Sequence, residues 1–354
     1  MGKLPTNLAH ITVCVFISLS SFGQKENKSE KLDKVSKLFS SETILPVVMS
    51  YSNKDLKKLT NDSTYINIDL SYVEATDSIR TLPVKVRARG NFRRKNCYFS
   101  PVKLKIKKEN GKETLFKGNK DLKLVLPCLK TKDANDNVIK ELLAYKLYEV
   151  VSKYHFKTRL LDFSLNESKG KKIEKHKVKA FFIEDIDELE DRFGGKKIKR
   201  NMHPLQQDSL YSIRNAFFQY MIGNTDFSTG FQHNQKILFV NGSSVPIPYD
   251  FDMSGLCNVS YSVVSQISGE ALPLESVTDR LYRGFKRSDL TMMAIRNEFL
   301  ENQGKMMTIL DAHEVYFENP KEFAECKKFL MEFFDIIGSP AKFQAEILAK
   351  ERVK

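Results

Sequence analysis

Two short acidic segments carry the chemistry in this sequence. Gly223-Asn224-Thr225-Asp226-Phe227-Ser228-Thr229-Gly230-Phe231-Gln232-His233-Asn234 offers a carboxylate at Asp226 and an amide oxygen at Asn234. Downstream, Pro248-Tyr249-Asp250-Phe251-Asp252-Met253-Ser254-Gly255 places two carboxylates on either side of one aromatic ring. In an extended segment Asp250 and Asp252 project to the same side. With no adjacent Lys or Arg they repel each other unless a cation sits between them. Hard oxygen ligands of this kind suit Mg²⁺ or Mn²⁺, with a substrate phosphate completing the shell. The plain alternative is a solvated polar turn. His233 either tunes such a site or is a satisfied loop histidine.

This set points to phosphoryl transfer. That reaction needs a carboxylate that orients the nucleophile, an Asn and an Asp on the metal, and a Lys on the phosphates. The elements around the acids must supply the rest. Tyr65–Leu70, Val84–Arg89, Val102–Lys107 and Leu122–Leu126 alternate apolar with polar residues, the mark of half-buried strands. A helix follows, with Val138, Leu142, Leu143, Tyr145, Leu147 and Val150 on its apolar face and Glu141 among them. Further strands are expected near Arg159–Leu165, Val178–Phe182, His233–Val240 and Ser244–Tyr249, and helices at Asp185–Arg192, Leu210–Ile222 and through the tail from Ser288. The Asp226 segment then falls on a loop between a helix and a strand, where catalytic groups concentrate. The expected class is α+β, an antiparallel sheet lobe followed by a mainly helical lobe.

A loop carboxylate, a downstream Asn, a strand and an Asp motif follow the chain order of a protein-kinase catalytic lobe. Over roughly residues 80–256 the sequence resembles the CotH kinase family, the atypical kinases similar to spore-coat protein H. The resemblance rests on Arg89-Gly90-Asn91, Ser100-Pro101-Val102-Lys103-Leu104-Lys105, Val138-Ile139-Lys140-Glu141-Leu142-Leu143-Ala144-Tyr145-Lys146-Leu147, Phe182-Ile183-Glu184, Asp226 to Asn234, and Asp250-Phe251-Asp252. It implies a kinase-like two-lobe fold and transfer of phosphate from ATP, with Mg²⁺ or Mn²⁺, to a protein Ser/Thr or another hydroxyl. It also implies roles. Asp226 is the catalytic-loop carboxylate, Asn234 and Asp250 hold metal, and Asp252 is a second acidic contact. Lys103 or Lys105, which share a strand face, reaches the phosphates, and Glu141 orients that Lys. The backbone near Glu184 meets the adenine. The chain departs from the pattern in the eight-position spacing of Asp226 and Asn234, in Phe92-Arg93-Arg94 where the family has a Trp, and in lacking a Gly-rich phosphate loop. A kinase-like binding or surface protein without catalysis is the alternative.

Arg87, Arg89, Arg93 and Arg94 form a basic patch beside this cleft, either a phosphate or acidic-substrate surface or a plain solvated edge. Asp279-Arg280-Leu281-Tyr282-Arg283-Gly284 either lends an Arg to a phosphate or caps the catalytic lobe, the second being favoured.

The 354 residues hold 57 Lys+Arg against 44 Asp+Glu, a formal charge of +13, with 25 Phe, 13 Tyr and no Trp. That aromatic content supplies a core and argues against disorder as the main state. No apolar run is long enough for a membrane span, and none of the basic clusters sits in a nucleic-acid-binding motif. Residues 1–24 run from Lys3 through the apolar Ile11–Leu19 to small residues, the order of a secretory signal peptide. The expected organisation is a signal peptide at 1–24, a flexible leader at 25–40, a kinase-like domain at 41–287 with its sheet lobe to about 184, and a helical extension at 288–354. A periplasmic or extracellular protein is therefore expected. Cys97, Cys128, Cys257 and Cys326 show no metal-type spacing, and their pairing is not readable from the sequence.

Overall fold

A computed structural model of the chain describes residues 1–2, 34–74, 78–267 and 270–353. The expected signal peptide and most of the leader lie outside the described residues. The chain runs β1 (Leu45–Tyr51), α1 (Asn53–Leu59), β2 (Ile66–Val73), β3 (Ile79–Ala88), α2 (Asn91–Asn96), β4 (Val102–Lys105), α3 (Lys108–Gly111), β5 (Asp121–Val125), α4 (Ala134–Val151), β6 (Thr158–Lys169) and β7 (Lys172–Ile183). It continues through α5 (Ile186–Phe193), β8 (Lys196–Ile198), α6 (Ser209–Met221), β9 (Gln235–Val240), β10 (Ser243–Pro248), α7 (Asp289–Glu301), α8 (Gln303–Ala312), α9 (Pro320–Gly338) and α10 (Pro340–Glu346).

The seven strands β1 to β7 close into a barrel in the order β1-β2-β3-β4-β5-β7-β6. This corrects the expected two-lobe kinase-like fold with an open antiparallel sheet lobe. The closing pair is parallel: β1 lies along β6 from Leu45 opposite Leu161 to Tyr51 opposite Glu167. The remaining neighbours are antiparallel, so the barrel is mixed. Alternation identifies strands but says nothing about which distant strand pairs with which, and closure depends on a pairing more than a hundred residues apart. Closure also removes both free edges, which would otherwise invite pairing with other chains.

The barrel interior is apolar. Val47, Leu70, Val86, Leu104, Leu122 and Phe163 are buried there. The alternate residues of β3, β4 and β5 therefore face outward, and they include Arg87, Lys103 and Lys123, aligned across the three strands. Cys97 and Cys128 form a disulfide that ties the end of α2 to the segment after β5, whereas Cys257 and Cys326 are buried free thiols.

A second core surrounds α4, which is buried from Val138 through Tyr148 on every face. A helix buried all round must be packed on several sides. Here Phe181 of β7, Phe217 and Phe218 of α6, Phe251, and the later helices (Phe299, Phe333, Phe343) join it in one cluster. The helices from 289 onward thus share the core that supports α6 and α4. Beside α6 lies a three-stranded sheet in the order β10-β9-β8. Among the described residues no helix is long and apolar enough to cross a membrane.

Candidate functional site

The loop from 223 to 234 leaves α6 through Gly223, whose φ of +59° is left-handed. A Cβ there would meet Phe329 Cζ at 2.8 Å, so glycine is required on both conformational and steric grounds. Gly255 N donates to Gly223 O at 3.0 Å and Leu256 N to Ile222 O at 2.9 Å. These bonds pin the start of the loop against the segment that follows Asp252.

Asp226 is held from three directions. Its amide donates to Asn224 Oδ1 at 2.9 Å. Asn234 Nδ2 donates to its main-chain oxygen at 2.7 Å and to Oδ2 at 3.0 Å. His233 Nε2 lies 3.0 Å from Oδ1. That contact raises the His233 pKa above its ordinary 6.5, the hydrogen bond to Asp226 being the main cause and burial opposing it. Arg283 Nη1 donates to the carbonyls of Thr225 and Phe227 at 2.6 and 3.0 Å, fixing both neighbours of Asp226.

Asn234 and Asp250 sit at one end of the β9–β10 hairpin. Gln235 opposes Pro248 in the ladder, and Tyr249 N donates to Asn234 O at 3.0 Å. Both residues adopt left-handed backbone, φ 50° at Asn234 and 65° at Asp250. Non-glycine residues are uncommon there, and Asn and Asp are among the types that adopt it most readily. The Asp250 amide is anchored to Tyr145 Oη on α4 at 2.9 Å. Phe251 is fully buried between Tyr145 and Phe218, a burial that contributes about 2–3 kcal/mol to holding the segment.

The extended geometry expected for Asp250 and Asp252 does not form. The left-handed turn at Asp250 sends the two carboxylates to different surroundings. No hydrogen bond reaches the Asp250 carboxylate from the described residues. Asp252 is buried, 3.4 Å from Arg93 Nη1, and accepts from Tyr261 Oη at 3.1 Å. Glu141 completes this buried group at 3.8 Å from the same guanidinium nitrogen. Arg93 Nη2 also donates to Leu126 O at 2.8 Å. One cation faces two carboxylates away from water. Burial, and then repulsion from Asp252, push the Glu141 pKa well above 4.5 against the pull of Arg93. Burial likewise raises Asp252. Glu141 thus partners Arg93, not a strand lysine.

The two candidate lysines go elsewhere. Lys103 pairs with Asp121 at 3.1 Å and Asp185 at 3.9 Å. Lys105 lies over the Tyr65 ring at 5.3 Å, and Arg87 engages Asp62 at 2.8 Å and the Tyr65 hydroxyl at 3.2 Å. The Glu184 side chain is buried in an ion pair with Arg192 at 2.7 Å and accepts from Lys157 N at 3.0 Å. Of the basic patch chosen from sequence, Arg93 is buried against Asp252 and Glu141, and Arg89 also reaches the cluster. Its charge acts on Glu141, Tyr249 and Lys123, and its Nε is buried without a hydrogen-bond partner.

Lys123, one strand over from Lys103, was not singled out by sequence reasoning. Its ammonium lies over Tyr249 at 4.6 Å and Phe156 at 5.0 Å. It forms no ion pair among the described residues. Burial, then the neighbouring Arg89, lower its pKa to about 8, with Asp185 and Asp250 opposing and Lys236 adding to the drop. The available signal was position: Lys123 is the outward residue of the strand immediately preceding the helix that carries Glu141.

No protein-family model matches the chain, and no curated protein matches it. The reading of the site therefore rests on its own geometry. Asp226, Asn234 and Asp250 present oxygen ligands along one edge, and Arg89, Lys123 and Lys236 present incompletely compensated positive charge nearby. Elsewhere, Glu167, Glu174 and His176 bring ligand atoms within 4.8 Å of one another. Lys130 and Lys169 already neutralise Glu174 at 2.6 and 2.5 Å, which removes the charge a cation would need.

Proposed function

We propose that the chain is a metal-dependent phosphotransferase that moves the γ-phosphoryl group of ATP to a hydroxyl acceptor. One observation carries the reading: Asn234 and Asp250, both in left-handed backbone, meet at the end of the β9–β10 hairpin while Asn234 locks Asp226 beside them. Asn234 spends its amide nitrogen on Asp226, and among the described residues no hydrogen bond reaches its Oδ1 or the Asp250 carboxylate. This donor set fits a hard divalent ion. Asn234 and Asp250 would hold Mg²⁺ or Mn²⁺, which when bound offsets phosphate charge. Asp252, committed to Arg93, stands outside that set.

Lys123 and Arg89 supply positive charge for the nucleotide phosphates. Asp226, held by Asn234 and His233, orients the acceptor hydroxyl and takes its proton. The acceptor oxygen forms a bond to the γ-phosphorus, the bond to the β,γ-bridging oxygen breaks, and ADP leaves. Asp226, Asn234 and Asp250 are also among the residues that carry the resemblance to the CotH kinases, which supports this chemistry, whereas Lys123 stands where the resemblance had implied Lys103 or Lys105. The Cys97–Cys128 disulfide belongs to the chemistry of oxidising compartments and supports an exported location.

The test uses purified protein with labelled ATP and Mg²⁺ or Mn²⁺, beside Asp226→Ala and Asp250→Ala. Label transfer that both variants lose is the expected result. Nucleotide binding without transfer in wild type selects the non-catalytic binding protein instead. The absence of both binding and transfer overturns the proposal.

A further inference from the structure

The loop that carries Asp226 also walls a second space. A cavity of about 320 Å³ is lined by Phe227, Gly230 and Phe231 of the loop and by Met202, Pro204 and Phe285 opposite. Phe231 stands at 76 % exposure, a large ring left facing solvent. Three guanidiniums, Arg283, Arg287 and Arg352, share the lining, and no described carboxylate does.

Among the described residues, none of these three charges is neutralised by an ion pair. Arg283 bonds the carbonyls of Thr225 and Phe227 and lies over the Phe227 ring at 4.9 Å. Arg287 bonds the carbonyls of Pro204, Leu205 and Gln207 at 2.7 to 3.1 Å. Arg352 lies over Phe285 at 4.4 Å. Carbonyls and rings position a guanidinium without cancelling its charge. Burial and the neighbouring Arg352 lower the Arg283 pKa to about 10, with Asp226 opposing. Two further polar atoms at the lining residues, Arg287 Nε and Ser212 Oγ, are buried and lack a hydrogen-bond partner. Neither atom is open to the cavity, so recognition there rests on the three guanidiniums that line it.

We propose that this cavity is an acceptor subsite that takes an anionic group, a carboxylate or phosphate, borne on an apolar body. The word acceptor rests on the phosphotransfer reading, whereas the anion site stands on the cavity alone. The connection is direct. Arg283 grips both neighbours of Asp226, so a ligand anchored on these guanidiniums lies against the loop that presents the Asp226 carboxylate. Planar guanidiniums recognise carboxylates and phosphates through paired hydrogen bonds, and the surrounding rings favour an aryl or branched alkyl body.

The probe is phenylacetate, with uncharged phenylacetamide as its control, titrated into the full chain by ligand-observed NMR. Wild type is expected to prefer the acid by about tenfold, the size of one charge-assisted contact. Arg352→Glu, at an exposed position, should abolish that preference with the melting temperature retained, and Arg287→Gln should abolish it with a lower melting temperature from the lost carbonyl bonds. Asp250→Ala should leave it intact. Equal affinity for acid and amide, or an undiminished preference in both arginine variants, overturns the anion site. The role as acceptor subsite has its own readout. Phenylacetate should inhibit label transfer, and transfer insensitive to a bound acid overturns that role while leaving the phosphotransfer reading standing. Acid binding in a protein that never transfers phosphate overturns the phosphotransfer reading and the acceptor role together, and leaves the anion site. A free aryl acid and a peptide bearing an acidic and an aromatic side chain present the same chemistry, and their relative affinities tell a small-molecule acceptor from a protein one.

Discussion

Asn234 Nδ2 donates at once to the main-chain oxygen and to Oδ2 of Asp226, at 2.7 and 3.0 Å. Seven intervening loop residues are thereby closed by one side chain. Asn234 thus fixes the carboxylate on one side and presents its own Oδ1 on the other. Replacing it with Ala removes both functions. Phosphoryl transfer should fall by about 10²–10⁴-fold, the usual worth of a positioned acid–base group, while stability falls by only about 1 kcal/mol for the lost hydrogen bonds. Single-turnover transfer assays and denaturant melts of Asn234→Ala check the two halves. A stability loss large enough to explain the activity loss would contradict a positioning role.

His233 makes the Asp226 contact depend on pH. Its folded pKa is raised above the ordinary 6.5, chiefly by the hydrogen bond to Asp226. A raised value means that the folded state holds the proton more tightly than the unfolded chain does. The associated stability is fully present below pH 6.5 and is lost as pH rises through the higher folded value. The imidazole is well exposed, so solvent screens the effect. The melting temperature of wild type should decline slightly through that window, and that of His233→Gln should not. Parallel profiles for the two proteins would refute the assignment.

Arg93 faces Asp252 and Glu141 inside the protein. Removing the cation leaves two buried carboxylates without compensation, and Arg93→Met should cost about 3–5 kcal/mol. Glu141→Gln acts in the opposite sense. Burial and repulsion already hold the Glu141 carboxyl toward its protonated form, so a neutral amide of the same shape should be near neutral or stabilising. Urea melts of both variants separate these outcomes. A large loss from Glu141→Gln would mean that its charge is needed, as it would be if it oriented a lysine.

Local pattern carried most of the elements and little of their assembly. The alternation in Val84–Arg89, Val102–Lys107 and Leu122–Leu126 matches β3, β4 and β5 closely, because one face of each strand is buried. The barrel was not legible, since the pairing of β1 with β6 leaves no local trace. At the site, the sequence grouped Asp226 with Asn234, and the structure places the two in hydrogen-bond contact. Asp252 misled because the same-side rule assumes extended backbone, and a left-handed Asp is not forecast by any neighbouring residue. Lys103 and Lys105 were the expected phosphate lysines, and Lys123 was passed over for want of a partner map. Alternation puts Lys103 and Lys123 on the polar faces of their strands, but does not show that Asp121 and Asp185 claim the first while the second forms no ion pair among the described residues.

That difference makes Lys123 chemically distinct. Its pKa is lowered to about 8, first by burial and then by Arg89. The unfolded chain keeps the ordinary 10.5. The depressed value means that folding opposes the charge: the penalty is fully present below pH 8 and is relieved as pH rises from 8 towards 10.5. Lys123→Met should therefore raise the melting temperature at pH 7, and the gain should shrink at higher pH. A substantial fraction of neutral amine near pH 8 should also make Lys123 acylate ahead of the exposed lysines, which are mostly protonated there. Mass spectrometry after brief treatment with acetic anhydride reads this directly. Nucleotide with Mg²⁺ should protect the residue, because phosphate charge stabilises the ammonium form. Labelling of Lys123 no faster than that of exposed Lys105, or unaltered by nucleotide, would remove it from the phosphate side of the site.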